Sequence, residues 1–135
     1  MSLWRALLAV NPWAVLVAGL VHMITGLVWY MPMLFGPAWA VLTGKDLKPA
    51  KVWLVPGFVG HMVIALVLAL IVTLANATTV LGGLLVGALV WIGFVVTLEI
   101  GELIWEKIPV KLFLIRAGEH LVALGLAGII VAVWR

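Results

Sequence analysis

The sequence contains no cysteine, which excludes disulfide bonds, thiolate metal sites and cysteine-based catalysis. Its only serine is Ser2, and it has neither a nucleophile elbow nor a glycine-rich phosphate loop. These absences leave a nucleophilic enzyme poorly supported. We therefore expect a protein that is not an enzyme.

Charged residues are scarce as well. They make up 10% of the 135 residues, whereas 67% of the residues are hydrophobic and the mean hydropathy is +1.35. A soluble globular domain is about half apolar and about a quarter charged. The net charge of +3 comes from few groups and forms no basic stripe, so we do not expect nucleic-acid binding. The composition indicates that this chain lies in a lipid bilayer.

Four apolar runs are long enough to cross a bilayer, which takes about 20 helical residues. Only helices and closed barrels satisfy backbone groups in lipid, and these runs are too long for barrel strands. The pattern therefore predicts an all-α bundle of four transmembrane helices in one domain, residues 1–135. A proline- and glycine-rich break after the first span predicts a short interfacial segment over residues 38–43. The predicted spans are residues 12–31, 51–75, 79–105 and 110–134.

The lysines predict an orientation. Four spans place both termini on one side, and that side carries only Arg5 and Arg135 near the membrane. The positive-inside rule places the lysine-rich loops in the cytoplasm, so both termini are predicted to lie outside. The lysines of those two loops are Lys45, Lys48, Lys51, Lys107 and Lys111.

Ionisable residues inside the predicted spans form two groups. Helical spacing places Glu99 and Glu102 on one face of the third span, and Arg116, Glu119 and His120 on one face of the fourth. Because such groups are costly in lipid and usually face the bundle interior, we predict a buried polar cluster where these spans meet. Two interpretations stay open: a polar clasp that fixes helix packing, and a path for protons or ions.

Three histidines are predicted to share one layer near the middle of the membrane. At a rise of about 1.5 Å per residue, His22, His61 and His120 lie at similar depths on three different helices. Two such histidines can ligate haem, and one can hold a chlorophyll-type pigment, although hydrogen bonding is the commoner role. No H-E-x-x-H motif occurs, so no metal-ion site is assigned.

Small residues predict close helix packing. Gly83 and Gly87 form a G-x-x-x-G pair in the third span, and Gly125 and Gly128 lie on a small face of the fourth. This packing could occur within the bundle, in a homo-oligomer, or against a larger membrane complex.

Two segments carry a family resemblance. Residues 26–39, GLVWYMPMLFGPAW, and residues 110–122, VKLFLIRAGEHLV, resemble the small bacterial membrane proteins of domain of unknown function 1761. The resemblance implies four spans and a bacterial inner-membrane location, and it implies no activity. Glu119 and Arg116 depart from the pattern of that family. The matching positions are Trp29, Tyr30, Phe35, Gly36, Trp39, Lys111, Gly118 and His120.

The first of these segments is also predicted to anchor the chain at the membrane surface. Its aromatic residues Trp29, Tyr30, Phe35 and Trp39 follow the first span, where prolines turn the chain along the interface. Taken together, the sequence favours a non-enzymatic accessory component of a larger membrane assembly. Transport of protons or a small solute comes second, and binding of haem or a chlorophyll-type pigment comes third.

Overall fold

The computed structural model describes residues 1–48 and 51–135, and these residues form helices and no strand. The all-α prediction is confirmed. The α-helices are α1 Leu3–Ala9, α2 Pro12–Trp29, α3 Gly36–Thr43, α4 Leu54–Leu74, α5 Val80–Val90, α6 Thr97–Gly101 and α7 Val110–Val133. A short 3₁₀ turn, Lys51–Trp53, leads into α4, and two π-helical segments, Trp91–Val96 and Glu102–Glu106, flank α6.

Four helical segments are long and apolar enough to cross a membrane, as predicted. The ends differ from the predicted spans by one or two residues. The first span ends at Trp29 rather than residue 31, because the chain turns between Tyr30 and the start of α3. The four segments are Pro12–Trp29, Lys51–Leu74, Val80–Glu106 and Val110–Val133.

Local sequence explains where the spans begin and end. The Asn11 side chain accepts hydrogen bonds from the first free N–H groups of α2, and Pro12 fits the first turn. The Thr79 hydroxyl caps α5 in the same way. Gly44 ends α3 in the left-handed conformation that glycine adopts without strain, and Lys107 ends the third span with a φ of 54°.

Helix α7 lies at the centre of the packing. Half of the residues in its hydrophobic stretch are buried, and the helix contacts α2, α4 and α5. Near the chain termini the space between the helices is filled by small or branched apolar side chains, including Ala18, Leu68, Val72 and Ala127. We call this end of the spans the terminal end. There, the Arg135 guanidinium donates a 2.6 Å hydrogen bond to the Ala77 carbonyl.

The opposite end of the spans is called the lysine end, because α2 finishes there and the lysine-rich loops lie there. Helices α4 and α7 both begin at this end and run antiparallel to α2. Consequently, the segment after α2 lies beside the start of α7.

The predicted packing glycines all lie between α5 and α7. A Cβ atom on Gly83 would collide with the carbonyl oxygen of Gly128, and one on Gly87 would lie 2.5 Å from the Leu124 carbonyl oxygen. Gly125 contacts the Leu84 side chain. The small faces are thus occupied by contacts within the chain.

The third span departs from a uniform α-helix. Its two π-helical segments widen the turns, so the 3.6-residue periodicity used in the sequence analysis does not hold through them. Such segments often occur at functional sites.

Candidate functional site

A pair of histidines joins the first two spans. His22 on α2 is 2% exposed, and its Nδ1 lies 2.9 Å from Nδ1 of His61 on α4. A hydrogen bond between these two nitrogens needs one ring to donate and the other to accept. At least one imidazole is therefore neutral while the pair is formed.

An ion pair joins the last two spans near the lysine end. The Arg116 guanidinium on α7 donates to Oε2 of Glu102 in the second π-helical segment. Both side chains are part-exposed along the lipid-facing side of the bundle. Mutual neutralisation lowers the cost of placing either charge in a membrane.

A second polar group lies one turn further from the lysine end. Nδ1 of His120 lies 2.8 Å from Oε2 of Glu119, and its Nε2 lies 3.7 Å from Oε1 of Glu99. Both glutamates are buried. Within residues 1–48 and 51–135, Oε2 of Glu99 is the one buried side-chain oxygen or nitrogen that has no hydrogen-bond partner.

Glu119 joins this cluster through His120 and also lies beside α2. Its carboxylate faces α2, and a Cβ atom on Gly26 would lie only 3.3 Å from its Oε1. The other four residues of the predicted cluster do lie between the third and fourth spans. The polar contacts of α7 therefore reach two neighbouring helices instead of one.

Two tryptophans hold the backbone of α7 beside this cluster. The indole N–H of Trp29 donates to the Ile115 carbonyl at 3.0 Å, and that of Trp91 donates to the Ala117 carbonyl at 2.7 Å. Neither contact was predicted from the sequence. The available signal was that an indole N–H inside a span needs an acceptor.

Besides its predicted place at the membrane surface, Trp29 packs inside the bundle. Its ring stacks on Phe35, with ring centroids 4.6 Å apart, and packs against Gly118 of α7. The remaining aromatic pair, Tyr30 and Trp39, meets edge to face at 5.9 Å. These contacts fasten the segment after α2, including α3, to the start of α7.

A groove of about 410 Å³ opens on the side of the spans. Its floor includes the buried side chains of Leu68 and Leu124. Its rim includes Val63, Val67 and Phe94, each about half exposed or more. Its other lining residues are apolar except for two histidines, His22 and His120.

Two of the predicted cofactor ligands, His22 and His61, are not arranged to hold a metal between their Nδ1 atoms. A metal held by two imidazole nitrogens at about 2 Å each separates those nitrogens by roughly 4 Å. The Nδ1 atoms of His22 and His61 are too close for that. Across the described ranges, 1–48 and 51–135, no group of three or more histidine or acidic side chains could hold a metal ion. The residues present do not fit a haem iron between this pair.

The ionisable side chains inside the spans lie away from the terminal end. At about 1.5 Å per residue, His61 and His120 each lie about 20 Å from the terminal end of their own helix. The helices between these histidines and that end meet through apolar side chains. The ionisable side chains therefore form a polar layer, and a packed apolar layer separates it from the terminal end.

Comparisons with known proteins give one finding. A family model described as "Protein of unknown function (DUF1761)" matches residues 13–132, which covers both motifs noted in the sequence. No curated protein and no solved structure matches the chain.

Proposed function

We propose that this chain, which belongs to the DUF1761 family of proteins of unknown function, is a non-enzymatic accessory component of a larger membrane assembly. The observation that carries this proposal is the pairing of its ionisable side chains with one another between helices. Such pairing uses these groups to hold the spans together.

Polar contacts fasten three pairs of helices. The two histidines His22 and His61 link α2 to α4, and Arg116 with Glu102 links α7 to the third span. The Trp29 indole on α2 connects that helix with α7. Interhelical polar contacts commonly fix which faces of membrane helices meet. A rigid four-span scaffold without a chemical step suits an accessory component.

The distribution of polarity supports the same proposal against an independent transporter. A path for protons or ions needs polar groups on both sides of the membrane centre. In this chain the apolar core lies between the polar layer and the terminal end. A single copy therefore offers no continuous polar route.

Proton transfer is the second candidate function, and one observation favours it. The buried, unpartnered Oε2 of Glu99 lies on a carboxylate that faces His120. A carboxylate and an imidazole at this separation are typical members of a proton relay. In that case a second copy or a partner subunit would supply the other half of the route.

Proton flux distinguishes these two functions. The protein is reconstituted in liposomes that contain a pH-sensitive dye, and a potassium diffusion potential drives proton movement. We expect the flux to equal that of protein-free liposomes, because the apolar layer blocks the route. Glu99→Gln should change nothing. Flux that disappears in Glu99→Gln but persists in Glu106→Gln, which alters an exposed glutamate, would contradict the accessory role and support proton transfer.

We further propose that the protein lies in a bacterial inner membrane with the lysine end in the cytoplasm. The excess of lysine over other charges in the loops at that end supports this orientation. Both termini would then lie outside the cytoplasm.

A further inference from the structure

We infer that the lateral groove binds a lipid-soluble quinone, meaning an uncharged ring with carbonyl oxygens and an apolar tail. This site goes beyond the accessory role, which requires no small-molecule ligand. The two proposals can therefore fail separately.

The dimensions and lining of the groove suit a small amphipathic molecule. Its volume of about 410 Å³ lies within the range of roughly 300–1,000 Å³ that is usual for ligand sites. Such sites are mainly apolar with a few polar groups that orient the ligand. Here the apolar wall comes from α4, α7 and the π-helical segment Trp91–Val96, and the polar groups are His22 and His120.

Within residues 1–48 and 51–135, both histidines have one ring nitrogen, Nε2, that makes no hydrogen bond. Nδ1 of His22 is occupied by His61, and Nδ1 of His120 by Glu119. Nε2 of His120 lies 3.7 Å from Oε1 of Glu99, which is within ion-pair range but beyond hydrogen-bonding distance. Nε2 of His22 carries a proton when Nδ1 accepts from His61, and Nε2 of His120 carries one when that ring is an imidazolium facing Glu99 and Glu119. In these states each Nε2–H can donate to an oxygen of a ligand.

The depth of these histidines favours an uncharged ring over a charged headgroup. His120 lies about 15 Å from the start of α7 at the lysine end, well inside the membrane. A phosphate or carboxylate at that depth would pay a large desolvation cost, whereas a carbonyl ring would not. Carbonyl oxygens accept hydrogen bonds from imidazole N–H groups.

The rim of the groove supplies the remaining contacts. Phe94 is 68% exposed at the rim and offers an aromatic face to a planar ring. Val63 and Val67 are about half exposed there, so an apolar tail can leave the groove among the acyl chains of the membrane. A ring between the histidines and a tail at the rim is the arrangement that this lining favours.

Thermal unfolding of the purified full chain in detergent tests the assignment. The probe is decylubiquinone, and the comparison ligands are 1-decanol and decanoic acid, which have similar tails. A ligand that binds only the folded state raises the unfolding temperature in a saturable way. We expect saturable stabilisation by decylubiquinone, and a weaker, non-saturating effect from the other two compounds.

Two valines on α4 provide a matched pair of variants. Val67→Trp fills the groove, whereas Val59→Trp places the same side chain on an equally exposed part of α4 outside it. Val67→Trp should weaken decylubiquinone binding at least about tenfold, while Val59→Trp should leave it unchanged. Val63→Trp, also at the rim, repeats the test if Val67→Trp does not fold.

Replacement of a histidine tests the polar contact separately. His120→Phe keeps a ring of similar shape but removes both nitrogens, and loss of one hydrogen bond should weaken binding by about 2- to 10-fold. The assignment is overturned if decylubiquinone gives no saturable shift, if 1-decanol or decanoic acid stabilises the protein as strongly, or if Val67→Trp and Val59→Trp bind the probe equally.

Discussion

Arg116 and Glu102 show how a single pair of side chains makes a charged residue tolerable in this protein. Each is part-exposed on the lipid-facing side, and each has the other as its ion-pair partner. Removal of one member leaves a charge in surroundings that solvate it poorly. Removal of both leaves no such charge. The pair should therefore behave as a unit.

A double-mutant cycle on this pair checks that expectation. Arg116→Met and Glu102→Gln should each lower the free energy of unfolding by about 1–3 kcal/mol, because each leaves the other side chain without its partner in surroundings that solvate it poorly. The double variant should cost less than the sum of the two single changes. Unfolding by sodium dodecyl sulfate in mixed micelles, followed by tryptophan fluorescence, gives the three values. Additive values would mean that the pair contributes no coupling.

For single residues, the sequence identified the polar side chains inside the spans but did not predict all of their contacts. Polarity inside an apolar span singles out Glu99, Glu119 and the histidines, because such groups are rare there. The direction of Glu119 toward Gly26 depends on how α7 is rotated between two neighbours. A single sequence does not specify that rotation.

Among the helices, α5 and α7 approach each other most closely. Their backbones touch at Gly83 and Gly128, where neither residue has a side chain. Close backbone contact lets van der Waals attraction act in a setting where apolar burial gives little driving force. This contact should be sensitive to a single added methyl group.

Gly83→Ala and Gly60→Ala form a matched test of this packing. The added methyl group at Gly83 meets the Gly128 backbone, so the variant should lose about 1–3 kcal/mol of stability. Gly60 lies inside α4 with nothing within 4 Å of an added Cβ, and its replacement should be neutral or stabilising by up to about 1 kcal/mol. Detergent unfolding curves compare them. Equal effects at both positions would show that the α5–α7 contact is loose.

The elements were predictable from hydropathy, caps and prolines, because those signals act within a few residues. Asn11, Pro12 and Thr79 begin their helices as local chemistry predicts. The π-helical segments were not predictable in this way. The run WIGFVV contains no residue that announces a wider turn, so the local pattern reads as ordinary helix.

For the molecule as a whole, the sequence specified four spans but not the groove. Spans follow from the length of apolar runs, which composition alone reveals. The groove arises where α4 and the third span separate beside α7, so it depends on the packing of three helices at once. The sequence gives only approximate depths for the ionisable side chains inside the spans, so it did not show that they all lie away from the terminal end.

The absence of native cysteine allows a direct test of orientation. Thr78→Cys and Lys45→Cys place single thiols in exposed loops at opposite ends of the spans. In intact cells, a membrane-impermeant maleimide should label Thr78→Cys, because the terminal end is proposed to lie outside. Lys45→Cys should react only after the cells are permeabilised. Labelling of Lys45→Cys in intact cells, with Thr78→Cys protected, would invert the orientation.

The placement of the polar pairs has a consequence for biosynthesis. His22 meets His61 inside the first helical hairpin, and Arg116 meets Glu102 inside the second. Each hairpin emerging from the ribosome thus brings partners for its own costly groups, and the first can enter lipid before the second is made. Trp29 acts later, since the Ile115 carbonyl that accepts its hydrogen bond lies on α7, in the second hairpin. Contacts within each hairpin thus serve insertion into the membrane, and contacts between the hairpins serve assembly of the bundle.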